Sequence, residues 1–353
     1  MTTTPPILSI CIPTFNRAET LHMLLGNIAD IKAEQGVNVE ICISNNCSTD
    51  NTIDVVEKWQ RLFEITLFNQ SENIGATRNL QYASTMGTGK WILLIGDDDG
   101  FNQSEFSKLL HLLKDAPAEH WHITRVTNAN KRPLYFNRQD AGLYSPHGFL
   151  KKITQHGIIY IGFIGSHILP RHLARQLSAL NSDNIRPWPH VALILQNLAS
   201  IKIHIVDCEP TVQVAYGNKL FWKSGDWVRN KMRLIDLLVN FKSADQKLES
   251  LVNNLSEKEM CAWSLFKEFI KWRATETDDF KKHGKSEYEG RLTKLVKISL
   301  AHHLILYSIV ILEKINDQMI RLALGMVGNS KILDRYKNIS QQQEAYDGTN
   351  RKM

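Results

Sequence analysis

Residues 96–100 read Gly-Asp-Asp-Asp-Gly. Asp97, Asp98 and Asp99 place three carboxylates side by side, and these repel one another unless a cation sits among them. Carboxylate oxygens suit hard divalent ions. Mg2+ and Mn2+ commonly share such oxygens with the phosphates of a substrate. A cation held there would neutralise charge that builds on a departing diphosphate. The flanking Gly96 and Gly100 let the backbone turn and leave room for a ligand. A purely local reading also exists: Asp99 stands just before a helical pattern and can serve as its N-cap.

Two other clusters have the residue types for nucleotide chemistry. In Ile43-Ser-Asn-Asn-Cys-Ser-Thr-Asp-Asn-Thr52, an apolar run passes into polar residues and then a helix start. Asn45 and Asn46 offer amides to a base or ribose there, while Ser48 and Asp50 equally suit a helix cap. In Asn73-Ile-Gly75-Ala-Thr-Arg78-Asn79, Arg78 falls in the first turn of a helix, where a guanidinium can pair with phosphate. A plain surface arginine is the alternative.

The intervening pattern says what must hold these clusters. Ile7–Ile12 is a short apolar run closed by Pro13, Val39–Ile43 and Ile65–Phe68 repeat it, and Trp91–Ile95 and Trp121–Val126 follow. Each reads as a buried strand. Between them, Leu21, Leu24, Leu25 and Ile28 recur at helical spacing, as do Ile53, Val56, Trp59 and Phe63. Phe106–Leu113 is a further helical stretch. Alternation of this kind predicts an α/β domain with a mostly parallel sheet flanked by helices. Such sheets bind ligands at the carboxyl ends of their strands, where Asn45-Asn46 and the Asp triplet both fall. Farther on, Ile158–Leu169 and Ile201–Val206 read as strands, and Arg171–Leu180 and Val191–Ser200 as helices.

With 353 residues, 43% of them hydrophobic and 22% charged, the chain is expected to form two globular domains or one enlarged one. The five cysteines form no Cys-x-x-Cys pair, which suits free thiols in a reducing compartment. The N-terminus has neither a basic region nor a long enough apolar run for a signal peptide, so a cytoplasmic location is expected. The net charge is +6. From Lys219 to Lys297 there are 17 Lys and Arg against 12 Asp and Glu, an excess of 5. That basic stretch suits an anionic partner, phosphate or a membrane surface, or else a solvated helical face. Nucleic acid is not an expected partner. Ile298–Leu312 is shorter than the ~20 residues a membrane-spanning helix needs, which leaves a membrane-surface helix or a packed core helix. The reading therefore divides the chain into residues 1–217, a helical, basic and amphipathic region 218–339, and a polar tail 340–353.

The motifs together resemble family 2 glycosyltransferases of the GT-A fold, a fold of nucleotide-diphospho-sugar transferases. The resemblance rests on Ser9-Ile-Cys-Ile-Pro-Thr-Phe-Asn-Arg17, the Ser48-Thr-Asp50 element, Asn73-x-Gly75 with Arg78-Asn79, and the Asp triplet, in that order, over about residues 7–210. The Ile-Gly-Asp-Asp-Asp form is similar to bacterial sugar transferases of O-antigen and capsule assembly, of the abequosyltransferase type. The resemblance implies an inverting transfer of one sugar from a nucleotide-sugar to a hydroxyl of a glycan, and a lipid-linked glycan on the inner membrane face is the expected acceptor. It implies that Pro13, Thr14, Asn16, Arg17, Asn45, Asn46, Asn73, Gly75, Arg78, Asp97 and Asp98 bind the nucleotide-sugar. It makes Asp99 and Asp97 the acids of an Asp-x-Asp metal motif for Mg2+ or Mn2+.

Three features depart from the family pattern. Asn45 and Asn46 stand where one or two Asp are usual, so UDP, dTDP and CDP all stay open. Gly96 replaces the acid found before the metal motif in many relatives. His190, in Trp188-Pro-His190, stands where relatives carry an acid at a helix start, and its ordinary pKa suits a general base. Asp183 is the alternative base. The chain has no Gln-x-x-Arg-Trp signature of processive members. Tyr216–Trp227 mixes aromatic, basic and glycine residues and reads as a lid or as an inter-domain connector. A nucleotidyltransferase on a similar sheet and a non-catalytic nucleotide-sugar-binding module are the competing functions.

Overall fold

In a computed structural model of the chain, the described residues are 5–35, 38–127, 133–134, 136–181, 185, 188–213 and 224–259. The chain divides into two compact units, Met1–Leu220 with Phe241–Leu255, and Phe221–Asn240 with Ser256–Met353. The first unit begins with β1 (Leu8–Thr14), α1 (Ala18–Gln35), β2 (Val39–Asn45), α2 (Thr52–Gln60), β3 (Thr66–Asn69), α3 (Ala76–Met86) and β4 (Trp91–Leu94). It continues with β5 (Gly100–Phe101), α4 (Gln103–Asp115), β6 (His120–Ile123), β7 (Val126–Thr127), β8 (Pro133–Leu134), β9 (Gly142–Tyr144) and α5 (Pro146–His156). Then come β10 (His167–Pro170), α6 (Arg171–Ala174), α7 (Pro189–Asn197), β11 (Lys202–Ile205) and β12 (Val212–Gln213). In the second unit lies α8 (Ser224–Val239), and α9 (Gln246–Glu259) follows.

Among the described residues, eight strands form one sheet in the order β3-β2-β1-β4-β10-β6-β11-β9. A smaller sheet runs β5-β12-β7-β8. β3, β2, β1 and β4 are mutually parallel, as are β6 and β11, while β10 and β9 run antiparallel to their neighbours. The helical spacing read in α1 works as expected: Leu21, Leu24, Leu25 and Ile28 are all buried against the sheet core with Ile10, Ile12, Ile41 and Leu93. At about 25 cal/mol per Å2 of apolar surface, each such side chain stabilises the fold by roughly 1.5–3 kcal/mol.

Pro13 does not close β1, as its sequence position suggested; the strand continues to Thr14. Alternate residues of a central parallel strand face opposite neighbours. Cys11 accepts from Ile95 N–H on the β4 side, so Pro13 faces that side too. Lacking an N–H, it ends pairing with β4 at Cys11–Leu94, while pairing with β2 runs on to Thr14–Asn45. The two strands part at that point, just before the Asp triplet.

Ile158–Leu169 is not one strand. It folds as 3-10 turns at Ile158–Ile161 and Ile164–Ser166, and only His167–Pro170 pairs. Gly162 and Gly165 interrupt the apolar run, and burial on every side mimics a central strand in composition. Cys11, Cys42 and Cys208 are buried free thiols and Cys47 is partly exposed; Cys261 lies outside the described residues, as do Ile298–Leu312 and the tail.

Candidate active site

The Asp triplet occupies a tight turn at the carboxyl end of β4, closed by a hydrogen bond from Asp99 N–H to Gly96 carbonyl (3.2 Å). Asp99 does not cap a helix. β5 intervenes, and α4 starts after Asn102. The local alternative for the triplet therefore falls away.

The three acids have different surroundings. Asp97 is 3% exposed. Its Oδ2 accepts from Thr14 Oγ1 (2.7 Å) and its Oδ1 from the Arg17 guanidinium (2.8 Å). Burial pushes the Asp97 carboxyl up, against the pull of Arg17 and Thr14. Burial also works against the Arg17 charge, but the carboxylates of Asp97, Asp98 and Asp99 outweigh it and hold the guanidinium protonated. Asp98 lies 3.5 Å from the same guanidinium. Asp98 and Asp99 both fold over Gly96: a Cβ there would come within 2.8 Å of an Asp99 oxygen and 2.9 Å of an Asp98 oxygen. Two carboxylate oxygens thus converge on one small space that only glycine leaves open.

This geometry revises the expected roles. Asp97, paired on both oxygens, anchors the turn to β1 rather than offering a free carboxylate to a cation. Among the described residues, no three His, Cys, Asp or Glu side chains converge on a metal position. Mg2+ and Mn2+ need no such cage, because they complete their shells with water and substrate phosphate. The converging oxygens of Asp98 and Asp99 fit that mode. Replacing Arg17 with methionine leaves a buried carboxylate with Thr14 alone. We expect a loss of about 2 kcal/mol in urea unfolding, in line with the cost of an unpaired buried polar group; an unchanged midpoint would show that water already screens the pair.

The exits of β1 and β2 are tied together by side chains. Asn16 adopts a left-handed conformation (φ 51°), which asparagine tolerates. Its Oδ1 accepts from Thr49 N–H (2.7 Å), and its own N–H donates to Ser48 Oγ (2.9 Å). Asp50 accepts from Ala18 N–H, the first residue of α1 (3.1 Å), and from Thr52 N–H, the first of α2 (3.1 Å). One carboxylate therefore caps two helices. Partial desolvation pushes Asp50 up, but hydrogen bonds from the Thr52 hydroxyl and the Ala18 and Thr52 amides hold it below the usual range. Asp50→Ala should lower stability by about 1–2 kcal/mol, the cost of a lost cap. Thermal unfolding measures this, and a variant as stable as wild type would refute the double cap.

Asn45 and Asn46 are 1% and 2% exposed. Asn45 donates to Asn69 Oδ1 (3.0 Å) and accepts from Ser48 N–H (3.2 Å). Asn46 donates to Asn73 Oδ1 (2.9 Å) and accepts from Ile74 N–H (2.9 Å). Gly75 caps α3 with φ 85°, and its N–H donates to Asn73 Oδ1 (2.9 Å). Arg78 follows in the first turn of α3 and is exposed. Thr14, Asn16, Arg17, Asn45, Asn46, Asn73, Gly75 and Asp97 thus belong to linked turns at one sheet edge. Phe15 was missed in the sequence. Its ring is 39% exposed at the exit of β1, a placement suited to stacking on a flat ligand. The available signal was an aromatic between two polar residues at a strand end.

His190 is elsewhere. It opens α7 as expected, but its ring is 1% exposed and Nε2 lies 3.0 Å from Ile161 carbonyl. Burial, then the neighbouring His167, push its pKa well below the ordinary histidine value. A base must reach the proton it removes. The expectation that His190 is that base is corrected by this burial. Asp183 lies outside the described residues, as do residues 216–223 of the expected lid or connector.

The family comparison spans the residues that build this arrangement. Residues 9–177 match the family model described as Glycosyl transferase family 2. Over those residues the chain is similar to family 2 glycosyltransferases. Abequosyltransferase RfbV of Salmonella typhimurium is 25% identical over 257 residues, covering 68% of this chain and 74% of that protein. The putative teichuronic acid biosynthesis glycosyltransferase TuaG of Bacillus subtilis is 23% identical over 116 residues, covering 33% of this chain and 45% of that protein. The fold is of GT-A type. The structure of S. aureus TarS 1-349 in complex with UDP superposes with a TM-score of 0.56 at 13% identity, over 97% of this chain and 91% of that one. The mannosyltransferase of Pyrobaculum calidifontis in complex with GDP-Man and Mn2+ gives 0.52 at 14% identity, over 95% and 87%. This chain is a glycosyltransferase with its acidic turn at the sheet edge where α/β folds take ligands.

Proposed function

We propose that this glycosyltransferase moves one sugar, with inversion, from a nucleotide-sugar to a hydroxyl of a lipid-linked glycan in cell-surface polysaccharide assembly. The observation that carries the reading is the turn at Gly96–Asp99, where Asp98 and Asp99 oxygens converge beside the linked turns of β1 and β2. Residues 1–217 form the transferase domain in this proposal, and 218–339 a basic helical region that meets the membrane surface. Support for the acceptor class comes from relatives named as an abequosyltransferase and as a putative teichuronic acid biosynthesis glycosyltransferase. The excess of 5 basic residues between Lys219 and Lys297 supports the membrane part. No helix among the described residues is long and apolar enough to cross a membrane.

Asp99 and Asp98 would hold Mg2+ or Mn2+, which neutralises the leaving diphosphate when bound. The chain's own residues divide the remaining work. Thr14 and Arg17 fix the turn through Asp97. Phe15 stacks on the base, and the Asn16–Ser48–Thr49 turn offers its polar groups to the nucleoside. Arg78, at the start of α3, meets phosphate. With His190 closed off, Asp183 takes the proton of the acceptor hydroxyl.

A thermal-unfolding screen of UDP-, dTDP- and CDP-sugars, with and without Mn2+, tests the donor class. At a hundredfold excess over Kd, one nucleotide-sugar should stabilise the protein by about 2.7 kcal/mol, a shift of roughly 5 °C. EDTA should abolish that shift. Were every nucleotide-sugar silent at millimolar concentration, the donor assignment would fail.

A further inference from the structure

Two of the buried histidines outside the site just described, His167 and His190, meet at one carbonyl. Trp121 Nε1–H donates to His167 Nδ1 (3.0 Å), so the His167 proton is on Nε2, which lies 2.9 Å from Ile161 carbonyl. His190 Nε2 is 3.0 Å from the same oxygen. A carbonyl only accepts, so both rings donate to it as Nε2–H tautomers. The rings are 4.9 Å apart, 0% and 1% exposed. His190 Nδ1 has no hydrogen-bond partner among the described residues. A buried polar atom left so is costly, and its retention calls for a reason.

Ile161 is the last fixed point before Gly162-Phe163-Ile164-Gly165-Ser166. Ser166 fixes the other end: its carbonyl accepts from Thr124 N–H (2.8 Å), and its N–H and hydroxyl donate to Phe163 carbonyl (3.2 and 2.7 Å). Gly165 packs so closely that a Cβ there would meet the Phe163 ring at 2.9 Å and Ile95 at 3.6 Å. Ile95 leads directly into the Asp turn. Gly162, Phe163 and Ile164 remain partly exposed. The loop therefore borders the root of the Asp turn on the β10 side, whereas the linked turns assigned to the nucleotide lie on the β1–β2 side.

We propose that His167 and His190 are positioning residues that jointly pin the Ile161 carbonyl and so set the Gly162–Ile164 loop as the wall facing away from the nucleotide, the side left to the acceptor. The proposal rests on the transferase reading above for the word acceptor. The clamp itself does not depend on it. His190 acts through the loop and touches no substrate.

Histidine 15N spectra of the wild-type protein test the tautomers directly: both rings should be Nε2–H at pH 7.5. An Nδ1–H form, or a ring titrating near 6.5, overturns the clamp. His190→Gln keeps an N–H for the carbonyl, and His190→Leu removes it. Amide exchange at Gly162–Gly165 should stay near wild type in the Gln variant and rise about tenfold in the Leu variant, the effect of one lost hydrogen bond. Affinity for UDP with Mn2+, by calorimetry, should change less than about twofold in either, since sites without shared partners act independently. Unchanged exchange in the Leu variant, or exchange and UDP affinity failing together, overturns the assignment. If the Leu variant does not fold, the Gln variant and the tautomers decide. If wild type ignores UDP, the donor reading suffers while exchange and spectra still judge the clamp.

Discussion

Asp99→Ala reduces transfer by about a thousandfold and leaves the fold intact, on the scale expected when a group that stabilises developing charge is removed. Loss of activity without loss of structure follows from the turn's construction. The hydrogen bond that closes it uses the Asp99 backbone, which alanine keeps. The bonds that fasten the turn to β1 through Asp97, Thr14 and Arg17 are kept. What alanine removes is one of the two oxygens converging over Gly96. Asp97→Asn provides the contrast. It keeps an acceptor for Thr14 or Arg17 but discards the ion pair, so stability should fall along with activity. The measurement is nucleoside-diphosphate release with Mn2+, alongside urea unfolding of both variants. An Asp99→Ala enzyme retaining a tenth of wild-type turnover would remove Asp99 from the cation.

The second large effect is acid instability. Burial first, then neighbouring His204, His120 and Lys90, depress His122 to about 3. Burial depresses His167 to about 4. In the unfolded chain both titrate at an ordinary value near 6.5. Between the folded and unfolded values the unfolded chain binds more protons, so stability is complete above pH 6.5 and falls with pH below it. Each ring removes about 1.4 kcal/mol per pH unit. At pH 5 the two together cost roughly 4 kcal/mol, a large part of the 5–15 kcal/mol typical of a folded domain. His190, displaced in the same direction, adds to the loss. His122 cannot escape by turning outward: its Nδ1 is 3.1 Å from His204 Nδ1 and its ring stands edge-on to Trp91 at 4.7 Å. Urea unfolding at pH 7.5 and 5.0 measures the difference. Equal free energies at the two pH values would mean that these rings are already protonated or exposed.

Much of this was legible along the chain. The strand-and-helix alternation from Leu8 to Ile123 follows from apolar periodicity, because a strand buried on both faces must be apolar throughout and a surface helix apolar every three to four residues. The Asp triplet was legible as a site candidate because it sits where a parallel sheet ends, and that placement needs only the order of elements. Local misreadings came from chain-level signals with two meanings. Pro13 looked like a terminator, yet it blocks only the β4 side of β1. Ile158–Leu169 looked like a strand, yet two glycines break it into turns.

The sequence by itself determined the fold class, the edge of the sheet that carries the candidate site, and the residue types gathered there, since these depend on local pattern and element order. Only the tertiary structure decided how equivalent-looking residues divide the work. Asp97 and Asp99 are two positions apart, but one meets Thr14 and Arg17, more than eighty and about eighty residues away, and the other folds over Gly96. His190 has the pKa of a base in water and loses it beside His167 and Ile161 carbonyl. The physical reason is common to both: a side chain's charge, reach and partners depend on burial and on long-range neighbours, which no local spacing encodes.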